Sequence, residues 1–102
     1  MKKIHFVETH HSYRLLDPSR GLYETGDWVF ALKSVAATVG AELHLHQRQA
    51  DPSYLAGHVV GWRKVLRTGF FQRYALEFIV DPAATGAITD RGGWRRERKV
   101  VR

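Results

Sequence analysis

Gln72-Arg73-Tyr74-Ala75-Leu76-Glu77-Phe78-Ile79-Val80 is the most strand-like stretch of the chain, and the fold is read outward from it. Tyr74, Leu76, Phe78 and Val80 fall at every second position, so they share one face of an extended segment. Asp81-Pro82 ends the strand, because proline has no N–H for a ladder bond. Upstream, His58-Val59-Val60-Gly61-Trp62-Arg63-Lys64-Val65 reads as its partner, bent at Gly57 and Gly61, with Thr68-Gly69 as the turn between the two. Glu42-Leu43-His44-Leu45-His46-Gln47 also alternates, with the leucines on one face and Glu42, His44 and His46 on the other. Ile4 and Phe6 against Lys3, His5 and Val7 predict a first strand, and the basic run near 96–101 predicts a last one. Val29, Leu32, Val35, Ala36 and Val39 have helical spacing, which predicts a short helix over 29–39 capped by Asp27 and closed by Gly40. Residues 9–27, with Asp17-Pro18-Ser19-Arg20-Gly21, read mostly as loop, and so do 82–93. Five strands and one helix predict an α+β class. The sheet is expected to be mainly antiparallel and closed or half-closed as a small barrel, which removes exposed edges. The 102 residues read as a single small domain, 1–102.

Composition excludes several classes of protein. A hydrophobic share of 44% argues against a disordered tail. The absence of cysteine removes disulfides, thiolate metal sites and cysteine nucleophiles, and points to a reducing compartment, so the cytoplasm is the expected location. The apolar runs are too short to cross a bilayer, so no membrane partner is expected, and MKKIHFVETHH lacks the apolar run of a signal peptide. The formal net charge of +6 is uneven. Arg91, Arg95, Arg96, Arg98, Lys99 and Arg102 face only Glu97, a net +5 in twelve residues, while the other ninety carry +1. Such a block is either a solvated tail or a footprint for phosphates. Trp94 inside it favours phosphates, since an aromatic ring can stack on a base while arginines hold the backbone.

Two further groups of residues carry possible chemistry. His44, His46 and Glu42 share a strand face, and with His58 or His10-His11 they offer acid–base or ligand groups. A His-x-His on a strand without a placed third ligand is ordinarily a polar sheet face, so neither a metal nor a cofactor is assigned. His44, His46, His58 and Glu42 stay as the catalytic candidates of a small nuclease. Gln47-Arg48-Gln49-Ala50-Asp51-Pro52-Ser53-Tyr54 is a polar loop whose amides and arginine suit bases or phosphates, with Tyr54 placed to stack. Its plainer reading is a turn. Ser53 has histidines nearby but no nucleophile-elbow pattern. Trp62-Arg63-Lys64 sets a second aromatic among bases, although Trp28 and Trp62 suit the core equally well.

Gly26-Asp27, then Val39-Gly40-Ala41-Glu42-Leu43-His44-Leu45-His46, then Ala56-Gly57-His58-Val59-Val60-Gly61 resemble the PUA-like superfamily, which includes the ASCH and EVE domains. The resemblance covers roughly residues 26–80. It rests on a Gly-Asp turn before an element and a Gly-x-Val strand entering a long hairpin. It implies a small β-barrel whose cleft binds RNA or a flipped, modified base, and some ASCH members are ribonucleases. No catalytic residue is carried over from it. The same segment resembles small bacterial proteins with a Leu-x-His, Pro-Ser-Tyr and Gly-x-Val-x-Gly-x-Arg run.

The leading expectation is therefore a nucleic-acid-binding module. Bases would enter a cleft lined by Tyr54, Trp62, His44 and His46, near Arg63 and Trp94, while Arg91, Arg95, Arg96 and Arg98 hold phosphates of RNA or DNA. The alternatives are the small nuclease and a protein-interaction factor, such as a homodimer, that pairs through an exposed edge strand.

Overall fold

The computed structural model describes residues 1–66, 69 and 71–102. Thr68, half of the expected Thr68-Gly69 turn, lies outside the described residues. Among the described residues eight strands form one sheet: β1 (Lys3–Val7), β2 (Arg14–Asp17), β3 (Leu22–Val29), β4 (Glu42–His46), β5 (Ser53–Val65), β6 (Arg73–Val80), β7 (Trp94–Arg95) and β8 (Arg98–Val101). Their order is β2-β3-β6-β5-β4-β1-β8-β7. β1 and β4 run parallel, and the other neighbours are antiparallel. One helix, α1 (Leu32–Ala36), joins β3 to β4. No helix among the described residues is long and apolar enough to cross a membrane.

The α+β class and the mainly antiparallel sheet are as expected, but the closed barrel is not found. Instead the sheet rolls. β6, β5 and β4 separate β3 from β1 in the strand order, yet Trp28 of β3 stacks on Phe6 of β1 with ring centroids 4.3 Å apart. Ile4, Phe6, Phe30, Leu43, Leu45, Val59, Tyr74, Leu76 and Phe78 fill the roll, and Val35 plugs it from α1. The edge strands β2 and β7 do not pair with each other among the described residues. An open seam is left between β3 and β8.

Two local expectations fail for identifiable reasons. Residues 22–29 form β3, although 9–27 were expected mostly as loop and 29 as the start of the helix. Their alternation is broken by a register shift between Glu24 and Asp27, and the neighbours Glu24 and Thr25 are both buried. At that bulge the Leu76 amide donates to Thr25 Oγ1 at 3.0 Å, so a side chain completes the ladder where the backbone steps out of register. The helix spans only Leu32–Ala36, because Trp28 and Val29 stay in register with Tyr74 and Arg73. Its N-cap is Ala31, with no side-chain bond, so Asp27 does not cap it. Leu32 and Val39 are exposed, and Val35 alone is buried.

Gly57 lets β5 and β6 approach. A Cβ there would lie 2.1 Å from the Ile79 carbonyl oxygen, a backbone atom that cannot swing aside. Gly57→Ala is expected to cost about 3 kcal/mol or more in urea unfolding. At Gly61 the nearest atom is Glu77 Oε2 at 3.7 Å. Gly61→Ala should therefore unfold near the wild-type midpoint, and equal losses at the two positions would contradict the close-approach account.

Candidate functional site

The period of two in β1 and β4 sends Ile4, Phe6, Leu43 and Leu45 into the roll and His5, His44 and His46 to its outer face. That face is covered. The segment around Gly86 and Ala87 folds over it and is tied to Ser53 by two backbone bonds of 2.9 Å. The three imidazoles are 3%, 0% and 0% exposed. Their protons can be placed by elimination. The Asp51 carbonyl only accepts, so His46 Nδ1 donates to it at 2.8 Å and leaves Nε2 as an acceptor. His5 Nδ1 therefore donates to His46 Nε2 at 2.8 Å. The Glu42 carboxylate accepts from His44 Nε2 at 2.6 Å, so His44 Nδ1 accepts from Ser53 Oγ at 3.0 Å. Burial keeps the rings neutral. It drives His5 down to about 3, helped by the nearby His44, His46, Lys99 and Lys3. Burial also lowers His44, more than Glu42 raises it, and lowers His46.

Glu42, His44 and Ser53 thus share the atoms of a hydrolase relay. They do not share its access. Ser53 is 3% exposed, gives its proton to His44 and accepts the Gly86 and Ala87 amides at 3.1 and 3.2 Å. It clamps the covering segment. His44 and His46 are fully buried beneath that segment, while His58 is exposed beside Glu42 in the register.

The seam holds a different arrangement. β8 sends Arg98 toward the roll and Lys99 to the outer face. The Arg98 guanidinium lies over the Phe30 ring, 4.0 Å from its centroid, and Nη2 donates to the Val29 carbonyl at 2.6 Å. No carboxylate pairs with Arg98 among the described residues, and its buried Nε has no hydrogen-bond partner. Burial lowers its pKa, which expresses the cost of drawing a cation partly out of water. Arg98 lines a cavity of about 620 Å³ with Trp28 of β3, Arg73 of β6, and Arg95 and Arg96 of the β7–β8 hairpin. Trp28 Nε1 is a second buried donor there without a partner. Glu8, Asp27 and Glu97 also line it and offset part of the charge, and Asp27 lies 3.9 Å from Arg73.

Arg96 stands at the hairpin tip with φ +58, a left-handed backbone unusual for a bulky residue, and its carbonyl accepts from Gln49 Nε2 at 2.7 Å. Strain of this kind is kept where a side chain has another use. Arg96→Gly is expected to raise stability by roughly 0.5 kcal/mol, the strain relieved less the entropy glycine adds to the unfolded chain. A fall in the urea midpoint would contradict this.

Of the residues expected to act together, Arg95, Arg96 and Arg98 converge on the seam, and the others do not. Arg91 is exposed in the covering segment, away from the cavity. Trp94 packs on His46 and His5, with centroids 5.8 and 6.1 Å away. The Tyr54 hydroxyl donates to the Glu8 carbonyl at 2.7 Å, its ring stacks on His11, and burial raises its pKa. Arg63 makes a two-pronged pair with the buried Glu24 at 2.8 and 3.0 Å, which Arg14 also contacts. Those bonds, Arg63 first, hold the Glu24 carboxyl below its usual range. Trp62 of β5 and Tyr74 of β6 meet edge to face. The expected cleft of Tyr54, Trp62, His44 and His46 is therefore not formed, because β4 turns its histidines under a cover. Arg73 and Trp28 were missed as site residues. Their place at the seam depends on the β3–β6 register, which no local pattern reveals.

No family model, curated protein or solved structure matches the chain.

Proposed function

We propose that this chain is a nucleic-acid-binding module of PUA-like type, acting in the cytoplasm, that takes a segment of single-stranded RNA or DNA at the β3–β8 seam. The observation that carries the proposal is Arg98, a half-buried cation that lines the cavity, has no carboxylate partner among the described residues and keeps an Nε donor that none of them meets. An anion from outside adds the countercharge that Glu8, Asp27 and Glu97 supply only in part. Arg95 and Arg96, exposed beside it, hold neighbouring phosphates, and Trp28 Nε1 offers a donor to a phosphate or a base edge. A cavity of about 620 Å³ admits a nucleotide drawn out of a strand but not a duplex. The test is fluorescence anisotropy with a labelled single-stranded RNA and its DNA counterpart at low salt. Saturable binding is expected, weakened in Arg95→Gln/Arg96→Gln. Absence of binding at low salt would sink the proposal.

A second reading, a protein-interaction factor or homodimer, draws on β2, an edge strand with Leu15 48% and Leu16 40% exposed. Sedimentation showing a monomer at every concentration would remove the homodimer.

A further inference from the structure

The outer face of the β1–β8 pair carries a second cavity, of about 430 Å³, lined by Lys3, His5, Thr89, Asp90, Lys99 and Arg102 among others. Two atoms in its wall have fixed and opposite roles. The first is His5 Nε2. Asp51 fixes the His46 proton on Nδ1, and His46 then fixes the His5 proton on Nδ1. His5 Nε2 is left as a lone pair, with no hydrogen-bond partner among the described residues, on a ring that lines the cavity. The second is Lys99 Nζ, 2.9 Å from the Asp90 carbonyl and 2.6 Å from Asp90 Oδ1. An ammonium has three N–H groups, so one remains to give. Lys3 and Arg102 add positive charge to the lining.

We propose that this cavity binds the terminal phosphate of a monoester, or free inorganic phosphate, in its singly protonated form, with the phosphate O–H donating to His5 Nε2 and its oxygens facing Lys99, Lys3 and Arg102. The proposal does not rest on the seam reading. A strong donor is needed opposite a lone pair, and a negative charge is needed opposite the cations. A protonated phosphate has both. Sulfate has the charge without the proton and would set an oxygen lone pair against that of His5. Internal phosphodiesters fail for the same reason, so in a nucleic acid only an end qualifies.

The groups facing His5 are His44 and His46 from β4, Lys3 from its own strand, Lys99 from β8 and Trp94 from β7, and Asp90 lines the same cavity with its carboxylate held by Lys99. None of them offers His5 Nε2 a proton acceptor that would turn it into a donor. The second ionisation of a phosphomonoester falls near pH 6. Affinity for methyl phosphate should therefore decline above that, approaching tenfold per pH unit.

The experiment is NMR titration of the intact protein with methyl phosphate, inorganic phosphate and sulfate, following the His5 imidazole and the amides of Thr89 and Asp90. Phosphate is expected to bind at least about tenfold more tightly than sulfate, since one charge-assisted hydrogen bond is replaced by a repulsion. Lys3→Met, at an exposed side chain, should weaken phosphate without disturbing the fold. Equal affinity for phosphate and sulfate, affinity that rises with pH, or shifts centred on Arg95–Arg98 would each overturn the proposal. A 5′-phosphorylated oligonucleotide set against its 5′-hydroxyl form separates the two sources. Shifts at His5 with the phosphorylated form alone assign the site to nucleic-acid ends. Shifts with inorganic phosphate but neither oligonucleotide assign it to the free anion.

Discussion

Acidification is expected to unfold this protein well before its carboxylates titrate. His5, His44 and His46 are buried neutral, and their protons already have single placements. In the unfolded chain each titrates near 6.5. In the native state His5 is driven down to about 3, and His44 and His46 are lowered as well, all chiefly by burial. Below pH 6.5 the unfolded chain therefore binds protons that the native one refuses, and stability falls as pH falls. The slope is roughly 1.4 kcal/mol per pH unit for each ring that remains unprotonated. Against a total of about 5–15 kcal/mol for a small domain, His5 alone removes a large share by about pH 4. The carboxylates behave differently. Glu24, Asp17 and Asp90 have lowered values, so their contributions stay whole until pH drops below their ordinary range near 4. The window from about pH 6.5 to about 4.5 thus belongs to the histidines. Urea midpoints measured across it should fall steadily, and a flat profile would contradict the buried, neutral layer.

The second large effect separates stability from binding. In Arg98→Met the half-buried guanidinium is replaced by an apolar side chain. The variant loses the bond to the Val29 carbonyl and the contact with the Phe30 face. It also removes a charge that is partly withdrawn from water and has no carboxylate partner among the described residues, a change that commonly leaves stability equal or higher by about 1 kcal/mol. Binding should move the other way. A hydrogen bond to a charged group contributes about 1.5–3 kcal/mol, so affinity for single-stranded RNA should drop roughly 10- to 100-fold. A well-folded Arg98→Met protein that binds RNA like the wild type would show that the seam is not the site.

Strands with strict alternation were legible in the sequence. Residues 73–80 and 42–46 were read with their inward faces correct, because each side of those strands has one solvent environment along its length. β3 was not legible, since its bulge buries the neighbours Glu24 and Thr25 alike and hides the period. The short helix was over-read. Val29 and Val39 fit a helical face by spacing, but β3 still claims Val29 and solvent claims Val39. The chemistry of the histidines was misread for a related reason. His44 and His46 were placed correctly on the face opposite the leucines, yet an outward face looks like a free one until the chain covers it. Here Gly86 and Ala87, more than thirty residues from Ser53, supply the cover. The concentration of charge after residue 90 was visible as composition. That Arg98 turns inward while Lys99 turns outward follows from the register of β8 on β1, and that the seam gathers Trp28 and Arg73 follows from the roll. Both are long-range outcomes of strand pairing.

The salt dependence of affinity for single-stranded RNA tests the central claim most directly. Arg73, Arg95, Arg96 and Arg98 line the seam, so three or four phosphate contacts are expected. Each releases about 0.7 counterion from a single strand, which predicts a slope of about −2 to −3 in log affinity against log salt. In Arg98→Met the slope should become shallower by about 0.7. An affinity that does not change with salt, or a slope that Arg98→Met leaves untouched, would contradict a phosphate-binding seam.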